Sequence, residues 1–326
     1  MRTLGVREER WPIAGAFVIS RGAKTEARVA VAEIADGALA GRGECTPYPR
    51  YGETCEGVIG QIQSVRGAIE AGASRDALRM LLPPGAARNA LDCALWDLEA
   101  KRAGKPAYAL AGLDRLEPVE TAFTLSLAAP EAMAEQARAN ASRPMLKLKI
   151  GGPDDLDRVQ AVHEAAPRAR LIVDANEGLD FDALKRLAPE LKRLDVKLME
   201  QPLKAGEDEA LEGYDCPVPL CADESLHTRA ELAACARRYG CINVKLDKAG
   251  GLTEALALAR EARALGLQIM VGCMVATSLA MAPGLILAQG AAFVDLDGPL
   301  LLAKDRTPGL TYRGSVIEPA LEALWG

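Results

Sequence analysis

The strongest constraint on the fold is a regular alternation of short apolar runs with helical patterns between Val119 and Leu296. The runs with the length and residue content of buried strands are Val119–Leu125, Met145–Ile150, Leu171–Asp174, Val196–Glu200, Val218–Cys221, Cys241–Leu246, Gln268–Val271 and Ala292–Leu296. Helical spacing recurs between them, for example over Glu131–Ala141, Asp154–Ala166, Phe181–Leu194, Arg229–Tyr239 and Thr253–Gly266. Such units over about 180 residues predict an α/β protein with a compact (β/α)8 barrel whose eighth helix is modified, because a doubly wound open sheet does not need so many.

The residues before the barrel predict a separate α+β region. Antiparallel strands are expected from Trp11 to Glu44, where Asp36-Gly37 has the composition of a hairpin turn and residues 21–24 that of a loop. Helical patterns follow from Thr54 to Ala111, and the clearest of them covers Ala86–Lys101. The chain therefore divides into a smaller α+β region of about 110 residues and a larger barrel.

The composition limits the kinds of partner that the protein can bind and the cellular compartment in which we expect it. The formal net charge of −6 argues against binding to a nucleic-acid backbone, which usually requires a basic surface. Residues 1–10 are charged where a signal peptide is apolar, so we expect a cytoplasmic protein. The uncharged run from Ala264 to Val294 exceeds a bilayer-spanning length, but its glycines, Pro283 and polar residues predict a strand, a helix and another strand. The 8 cysteines, mostly in apolar surroundings, predict buried thiols rather than disulfides.

Charged side chains stand at or just beyond the ends of the predicted strands. They are Lys149, Asp174, Glu200, Asp223, Lys245, Asp295 and Asp297. Successive positions from Lys149 to Lys245 are 25, 26, 23 and 22 residues apart, and Asp295 follows after 50 residues, which is two units. In a (β/α)8 barrel this spacing places all of them at the C-terminal mouth, where the active sites of such barrels lie.

Three of these residues, Asp174, Glu200 and Asp223, are carboxylates on consecutive units. Any one of them alone is more often a turn or helix-cap residue than a metal ligand. Three at nearly equal spacing would repel one another at the barrel mouth unless a cation lies between them. Oxygen ligands suit a hard divalent ion, and we therefore predict a Mg²⁺ site.

Two lysines flank the carboxylates in chain order, Lys149 two units before Glu200 and Lys245 two units after it. We expect them to approach the barrel centre from opposite sides, which suits removal of an α-proton from one face and its return to the other. Lys147 shares a strand face with Lys149, and such a pair alone is typical of a solvated edge strand. Beside a metal, we expect Lys147 to lower the pKa of Lys149 so that Lys149 can act as a base.

The motifs that carry these residues resemble those of the enolase superfamily, in its muconate-lactonizing-enzyme-like subgroup. They are Lys147-x-Lys, Asp174-Ala-Asn, Glu200-Gln-Pro, Ala222-Asp-Glu-Ser, Asn243-Val-Lys-Leu-x-Lys-x-Gly-Gly and Ala90-Leu-Asp-Cys-Ala-Leu-Trp-Asp-Leu. Residues 21–27, 43–52 and 295–299 are similar to the dipeptide epimerases of this superfamily, and most of all to the L-Ala-D/L-Glu epimerases. The resemblance covers nearly the whole chain. It implies a capping domain at 1–115, a catalytic barrel at 116–300 and a C-terminal segment at 301–326 that returns to the capping domain.

The resemblance also implies a role for each residue at the predicted barrel mouth. The acid/base groups would be Lys149 and Lys245, and Lys147 would adjust the pKa of Lys149 and contact the substrate. The ligands of Mg²⁺ would be Asp174, Glu200 and Asp223.

The remaining candidates would bind or surround a dipeptide. Asp295 and Asp297 would bind its α-ammonium group, because two carboxylates on one face suit a primary ammonium. Arg21 would reach the side-chain carboxylate of its glutamate, for which a guanidinium is well shaped, and Lys24 is a rival for this role. Residues near these groups in sequence are expected to support them or to line the pocket: Asn176, Glu224, Asn243, Cys273 and Met274.

The reaction implied is Mg²⁺-dependent epimerisation of L-Ala-D/L-Glu at the α-carbon of glutamate, through an enediolate, in the recycling of murein peptides. A muconate cycloisomerase and an o-succinylbenzoate synthase are the alternatives, but their substrates lack the ammonium group for which Asp295 and Asp297 are suited. A barrel that only binds a small acid is a third alternative, which Lys149 and Lys245 disfavour. The expected partner is a small dipeptide, with no nucleic acid or membrane, and a homo-oligomer is left open.

Overall fold

The computed structural model of the protein describes residues 1–19, 22–152 and 155–326. The chain begins with three antiparallel strands, β1 (Arg2–Ile19), β2 (Gly22–Asp36) and β3 (Leu39–Cys45), which pair in that order. The predicted turn at Asp36-Gly37 is confirmed, because Asp36 pairs with Leu39 across it. Gly37 has a φ of 65°, which a side chain would make costly.

The loop predicted at residues 21–24 is wrong for the last three of them, which belong to β2. Lys24 pairs with Phe17 of β1, and the ladder continues to the pairing of Ile19 with Gly22. An exposed two-stranded ladder satisfies its backbone groups whatever side chains it carries, so glycine, alanine and lysine are tolerated there. Arg21 lies outside the described residues.

Helices complete the first part of the chain, after a 3-10 turn at Pro49–Tyr51. They are α1 (Cys55–Ser64), α2 (Arg66–Glu70), α3 (Arg75–Leu81), α4 (Ala86–Ala103) and α5 (Ala107–Leu110). α4 corresponds to the predicted helix, and it is buried on nearly all sides because it lies between the first sheet and the barrel. Gly41 and Gly43 allow this contact, since a Cβ at either would lie 2.1 Å from a backbone oxygen of α4.

A short strand, β4 (Val119–Glu120), leads into the predicted barrel, which is confirmed. Its parallel strands are β5 (Phe123–Leu125), β6 (Met145–Lys149), β7 (Arg170–Asp174), β8 (Val196–Glu200), β9 (Leu220–Ala222), β10 (Cys241–Lys245), β11 (Gln268–Gly272) and β12 (Phe293–Asp295). Neighbours in sequence are neighbours in the sheet. The amide of Ala122 donates a 2.8 Å hydrogen bond to Val294 O and so joins the two edges of the sheet.

Helices cover the outside of the barrel or follow its strands. They are α6 (Pro130–Ala139), α7 (Leu156–Ala165), α8 (Phe181–Arg193), α9 (Leu232–Arg238), α10 (Leu246–Ala249), α11 (Leu252–Ala264) and α12 (Ser278–Ala288), with 3-10 turns at Glu209–Leu211 and Gly298–Leu301. The uncharged run from Ala264 to Val294 thus contains β11, α12 and the start of β12, as predicted. No helix in the described ranges combines the length and apolar character needed to cross a membrane.

One predicted strand, Val119–Leu125, is divided in two. Its first part is β4, which pairs with β14 (Val316–Ile317) of a hairpin whose other strand is β13 (Tyr312–Arg313). The amide of Thr121 still donates to Ser315 O at 2.8 Å, whereas the next residue bonds to the barrel. The chain therefore changes partner within one apolar run, which periodicity alone does not reveal.

Alternate residues of the barrel strands point inward, and this sets the depth of the site. The lower inward layer is an apolar plug made of Ala122, Met145, Ile172, Leu198, Cys221, Cys241 and Met270. Two residues further along these strands the side chains are polar but still buried, as at Lys147, Asp174, Glu200 and Asn243. A buried polar layer therefore lies directly above the plug at the C-terminal mouth.

The end of the chain contacts α4 and β3. Gly326 N donates to Asp97 Oδ1 at 2.8 Å, and Trp325 Nε1 donates to Cys93 O at 3.0 Å. The guanidinium of Arg42 donates to Leu324 O at 2.9 Å. All of the cysteines are free thiols, and Cys93 is among those that are buried, as predicted.

Candidate active site

The candidate site occupies the carboxyl ends of β6 to β10. In register, Lys149 of β6 lies beside Asp174 of β7, which lies beside Glu200 of β8. Glu200 lies beside Cys221 of β9, two residues before Asp223. Because these positions follow equal lengths of strand, the structure brings them to one level of the barrel mouth.

Lys147 lies at the centre of this group and is wholly buried. Its Nζ is 2.6 Å from Glu200 Oε2, 2.8 Å from Asp295 Oδ2 and 3.2 Å from Asp174 Oδ2. Burial opposes its charge, but the attraction of Asp295, Glu200 and Asp174 outweighs burial and holds the pKa of Lys147 well above its usual range. Lys147 is therefore a permanent cation among carboxylates.

Lys149 faces the same cluster from one side. Its Nζ donates to Asp174 Oδ2 at 2.5 Å. Although burial raises the pKa of Asp174, the charges of Lys149 and Lys147 outweigh this effect and lower it to about 2. Asp174 is consequently an anion at neutral pH. That Lys147 tunes the pKa of Lys149 stays a prediction.

Lys245 and Lys248 face the cluster from the other side, through Asp223. Lys245 Nζ is 2.7 Å from Asp223 Oδ2 and 3.9 Å from Glu200 Oε1. Lys248 Nζ is 2.6 Å from Asp223 Oδ1. Burial opposes both charges of the Lys245–Asp223 pair, yet their mutual attraction holds the pKa of Lys245 well above, and that of Asp223 well below, its usual range.

Glu200 is central and fully buried. Asn243 Nδ2 donates to its Oε1 at 2.8 Å, and its Oε2 faces Lys147 Nζ at 2.6 Å as an ion pair. Burial, and then repulsion by Asp174, raises the pKa of Glu200 to about 7.

The donor set at these strand ends fits a hard divalent cation. Three buried carboxylates, Asp174, Glu200 and Asp223, lie at or just beyond the ends of consecutive strands, and carboxylate oxygens are the ligands that such a cation prefers. In this structure, lysine ammonium groups contact the three carboxylates. Within the described ranges, no group of three acidic, histidine or cysteine side chains converges on one point. The residues therefore have the chemistry of a Mg²⁺ site, and their charge is balanced here by lysines.

Asp295 and Asp297 end the circle of strands beside Lys147. Asp297 Oδ2 accepts a 2.6 Å hydrogen bond from the amide of Thr124 at the end of β5. Burial, and then the charge of Asp295, raises the pKa of Asp297 to about 7. Both carboxylates are buried, and together they would gain from an added cation at this side of the mouth.

The other predicted residues surround this group. Asn243 contacts Glu200 directly, and the amide of Asn176, at a φ of 43°, donates to Asp174 Oδ1 at 2.9 Å. Glu224 is buried next to Asp223 in sequence, whereas Cys273 and Met274 are half-buried after β11. Arg21 lies outside the described residues, and Nζ of its rival Lys24 lies 5.2 Å from the centre of the Tyr48 ring.

The turn at Pro49–Tyr51 covers part of the mouth. Arg50 makes two hydrogen bonds, of 2.8 and 2.7 Å, to Glu177, which follows β7. The Tyr51 ring packs edge-on against His227, with ring centres 4.6 Å apart. The first domain is thus attached to two loops of the barrel mouth.

Two buried side chains of this region have no role in the predictions from sequence. Lys248 is buried against Asp223. Gln201 is fully buried and links the loops after β8 and β9. The three-residue spacing of Lys248 from Lys245, and the position of Gln201 between Glu200 and a proline, are the signals in the sequence that could indicate them.

Known families and proteins resemble the chain along its whole length. Residues 1–112 match the family described as mandelate racemase / muconate lactonizing enzyme, N-terminal domain, and residues 131–301 match the enolase C-terminal domain-like family. The L-Ala-D/L-Glu epimerase of Escherichia coli (strain K12) is 48% identical over 96% of this chain and 98% of the relative. An N-acetyl-D-glutamate racemase of Pseudoalteromonas sp. is 45% identical over 91% of this chain and 94% of the relative.

Solved structures give the same assignment. An enolase family member from Agrobacterium tumefaciens with homology to dipeptide epimerases, with bound sodium and L-Ala-L-Glu, is 52% identical, covers 100% of both chains and has a TM-score of 0.99. A dipeptide epimerase from Enterococcus faecalis V583, complexed with Mg and L-Leu-L-Tyr, is 27% identical over 98% of this chain and 96% of that chain, with a TM-score of 0.90.

Proposed function

The chain belongs to the enolase superfamily, and we propose that it epimerises a dipeptide at the α-carbon of its C-terminal residue, interconverting L-Ala-L-Glu and L-Ala-D-Glu. The observation that carries this proposal is the arrangement of Lys149 and Lys245. They stand on β6 and β10, each two strands from the central Glu200, and each contacts the carboxylate on the intervening side. A substrate carbon above Glu200 would therefore have one ammonium group on each side.

The two lysines perform the proton transfer in this proposal. One Nζ, in its neutral form, takes the α-proton, and the other, as an ammonium, donates a proton to the opposite face. Repetition in the reverse direction interconverts the two configurations. Because each lysine would reach only one face of the α-carbon, neither lysine alone would suffice for inversion.

Mg²⁺ would be held by Asp174, Glu200 and Asp223. When bound, it supplies positive charge that stabilises the negative charge which the substrate carboxylate gains on loss of the α-proton. Support comes from the burial of all three acids and from the lysine ammonium groups that contact them, because both show that these acids need a positive charge beside them. Lys147, in the polar layer above the plug, balances part of the negative charge of Asp174 and Glu200, because its Nζ contacts both.

Asp295 and Asp297 support a dipeptide with a free α-ammonium group. They are adjacent buried acids whose mutual repulsion would be relieved by a cation. The side-chain carboxylate of the substrate glutamate would be bound by Arg21 or by Lys24, which belongs to β2. We further propose that L-Ala-Glu dipeptides of this kind reach the enzyme in the recycling of murein peptides.

N-acetylglutamate is a second candidate substrate, because a relative with 45% identity is named as its racemase. The acetyl group carries no charge, so Asp295 and Asp297 would have no cation to bind. Changing both to asparagine separates the candidates: activity on L-Ala-D-Glu should fall at least about 100-fold, since a charged hydrogen bond contributes about 1.5–3 kcal/mol, whereas that on N-acetyl-D-glutamate should fall much less.

The direct test is incubation with L-Ala-D-Glu and Mg²⁺ in D2O, followed by NMR of the glutamate α-proton. We expect loss of the α-proton signal together with the appearance of L-Ala-L-Glu. Lys149→Ala and Lys245→Ala should each lower epimerisation by about 10²–10⁴-fold, and each should retain exchange with at most one of the two isomers. Full epimerisation by either variant, or tight binding of the dipeptide without exchange, would contradict the proposal.

A further inference from the structure

We propose that Gln201 is a positioning residue that fixes the ends of β8 and β9 relative to each other, and so the separation of Glu200 and Asp223. The inference rests on the proposed function, because it concerns two of the three carboxylates assigned to Mg²⁺. Gln201 touches neither a substrate nor the reacting atoms in this assignment. Its role would be to hold the two acids at the spacing that one cation requires.

The side chain of Gln201 accepts hydrogen bonds on one side and donates them on the other. Its Oε1 accepts from the amide of Asp223 at 2.8 Å and from that of Ser225 at 3.1 Å. Its Nε2 lies 2.8 Å from Leu203 O, 2.8 Å from Ser225 Oγ and 3.1 Å from Tyr239 Oη. The amide therefore crosses from the loop after β8 to the loop after β9.

The surrounding groups determine which way this amide faces. Ser225 Oγ and Tyr239 Oη each donate to Asp208 Oδ2 at 2.6 Å, so both hydroxyls present lone pairs to Gln201. Arg238 donates to the other oxygen of Asp208 at 2.7 Å and balances its charge. The donor side of Gln201 must then meet the hydroxyls, which leaves the acceptor side for the two backbone amides.

The backbone of Gln201 is held as firmly as its side chain. Its N donates to Cys221 O at 2.8 Å, and its O accepts from the amide of Glu177 at 2.9 Å. These bonds accompany a φ of 35°, which residues with a Cβ rarely adopt. A conformation of this kind persists only where its surroundings fix it, and here it directs a fully buried side chain towards Asp223.

Only a side chain with both an acceptor and a donor end can make these contacts at this length. Glutamate in its place would keep the acceptor for Asp223 N but would direct a second oxygen at Leu203 O. We therefore expect Gln201→Glu to weaken Mg²⁺ binding at least about 10-fold, the range observed for residues that orient metal ligands.

The experiment measures Mg²⁺ affinity of the full-length chain by titration calorimetry, without substrate, so the readout does not depend on activity. Gln289→Glu is the matched control, because Gln289 also bridges backbone groups, Glu117 N and Leu285 O, but follows α12 at the opposite end of the barrel. The control should bind Mg²⁺ as the unaltered protein does. Circular dichroism and the melting temperature without Mg²⁺ establish that the variants are folded.

Folded Gln201→Glu with Mg²⁺ affinity within twofold of the unaltered protein would overturn the inference. If Gln201→Glu does not fold, Tyr239→Phe is measured instead, because it removes one hydroxyl from the network around Gln201. About threefold weaker Mg²⁺ binding by this variant supports the inference, and unchanged binding overturns it. Absence of Mg²⁺ binding by the unaltered protein also overturns it. If the unaltered protein binds Mg²⁺ but epimerises no dipeptide, the proposed function fails, while the affinities still decide the role of Gln201.

Discussion

At the scale of single residues, the buried lysines of the barrel mouth differ in how many acceptors each one has. Lys248 Nζ donates to Asp223 O, to Asp223 Oδ1 at 2.6 Å and to Asn243 O at 3.0 Å, so each of its N–H groups has an acceptor. Within the described residues, Lys149 and Lys245 each donate a single hydrogen bond. Lys248 is therefore a fixed counter-charge for Asp223, whereas the other two lysines have N–H groups left for a substrate.

The role of Lys248 can be measured as stability. Lys248→Met keeps the apolar stem but removes the ammonium, which leaves Asp223 with Lys245 as its one remaining ammonium partner among the described residues. Leaving a buried charge wholly unpaired costs about 3–5 kcal/mol, and because Lys245 still pairs with Asp223 we take the lower end of this range, about 3 kcal/mol. We expect the free energy of unfolding, measured by urea denaturation, to fall by that amount.

Lys197→Met is the control for this change. Lys197 Nζ is 2.5 Å from Asp195 Oδ1, but both side chains are exposed. Such surface pairs contribute about 0–1 kcal/mol, so this variant should unfold almost as the unaltered protein does. Equal losses in the two variants would show that Lys248 does not serve as a buried counter-charge.

At the scale of secondary structure, the contact of α4 with the end of α10 and the start of α11 joins the two parts of the molecule. Arg88 of α4 donates to Ala249 O at 2.7 Å and to Gly250 O at 3.1 Å. Gly251 has a φ of 110°, and a Cβ there would lie 2.4 Å from Asp92 Cβ. The two glycines after Lys248 are thus required by helix packing, and this explains a motif that the sequence presented only as a resemblance.

Gly251→Ala should loosen this junction. The backbone conformation costs about 1–3 kcal/mol for a residue with a Cβ, and the overlap with Asp92 adds about 1–3 kcal/mol. We expect a loss of about 2–6 kcal/mol in the free energy of unfolding by denaturant, with activity lowered at temperatures where the variant is still folded, because β10 and Lys245 adjoin the junction.

Gly266→Ala provides the comparison, since Gly266 has a φ of 79° but nothing lies within 4 Å of the added Cβ. That variant should lose only about 1–2 kcal/mol, the cost of the left-handed conformation. If both alanine variants were equally stable, close packing against α4 would not be what requires Gly251.

Strands and helices were predictable from the sequence where the local residue pattern and the distant pairing partner favour the same structure. Barrel strands such as Val196–Glu200 are apolar runs that end in a charged residue, and equal spacing then places those residues together. Val119–Leu125 is divided because its first part pairs with β14, which lies far along the chain. Lys24 pairs within an exposed ladder. Neither pairing is specified by the composition of the segment itself. Gln201 and Lys248 were not predicted because neither is the last residue of a strand, and their contacts with Asp223 form only once the neighbouring strands have paired.

At the scale of the whole molecule, buried acids join the first domain to the barrel. Glu44 of β3 accepts from Thr277 N at 2.9 Å and Arg306 at 2.6 Å, and Asp92 of α4 accepts from Thr253 N at 2.9 Å and Thr253 Oγ1 at 2.6 Å. Each carboxylate contacts the first turn of a barrel helix, where it stabilises the free amides. The stability of this junction therefore depends on whether these acids are protonated.

Asp92 makes this dependence measurable through pH. Burial raises the pKa of Asp92 to about 6, because the hydrogen bonds from Thr253 and the charge of Arg75 offset only part of the lost hydration. A carboxyl in an unfolded chain has a pKa of about 3.9, so the folded state holds this proton more tightly. The stability that protonated Asp92 contributes is therefore present below about pH 4 and is lost as the pH rises through 6.

Asp92→Asn removes this titration while it keeps the size of the side chain. The difference in free energy of unfolding, variant minus unaltered protein, should rise with pH by roughly 3 kcal/mol between pH 4 and pH 8, since one pKa unit corresponds to about 1.4 kcal/mol. Denaturant titrations at several pH values measure it, and taking the difference cancels the contribution of the other acids. A difference independent of pH would mean that Asp92 is not protonated preferentially in the folded state, and that the junction carries its full charge throughout.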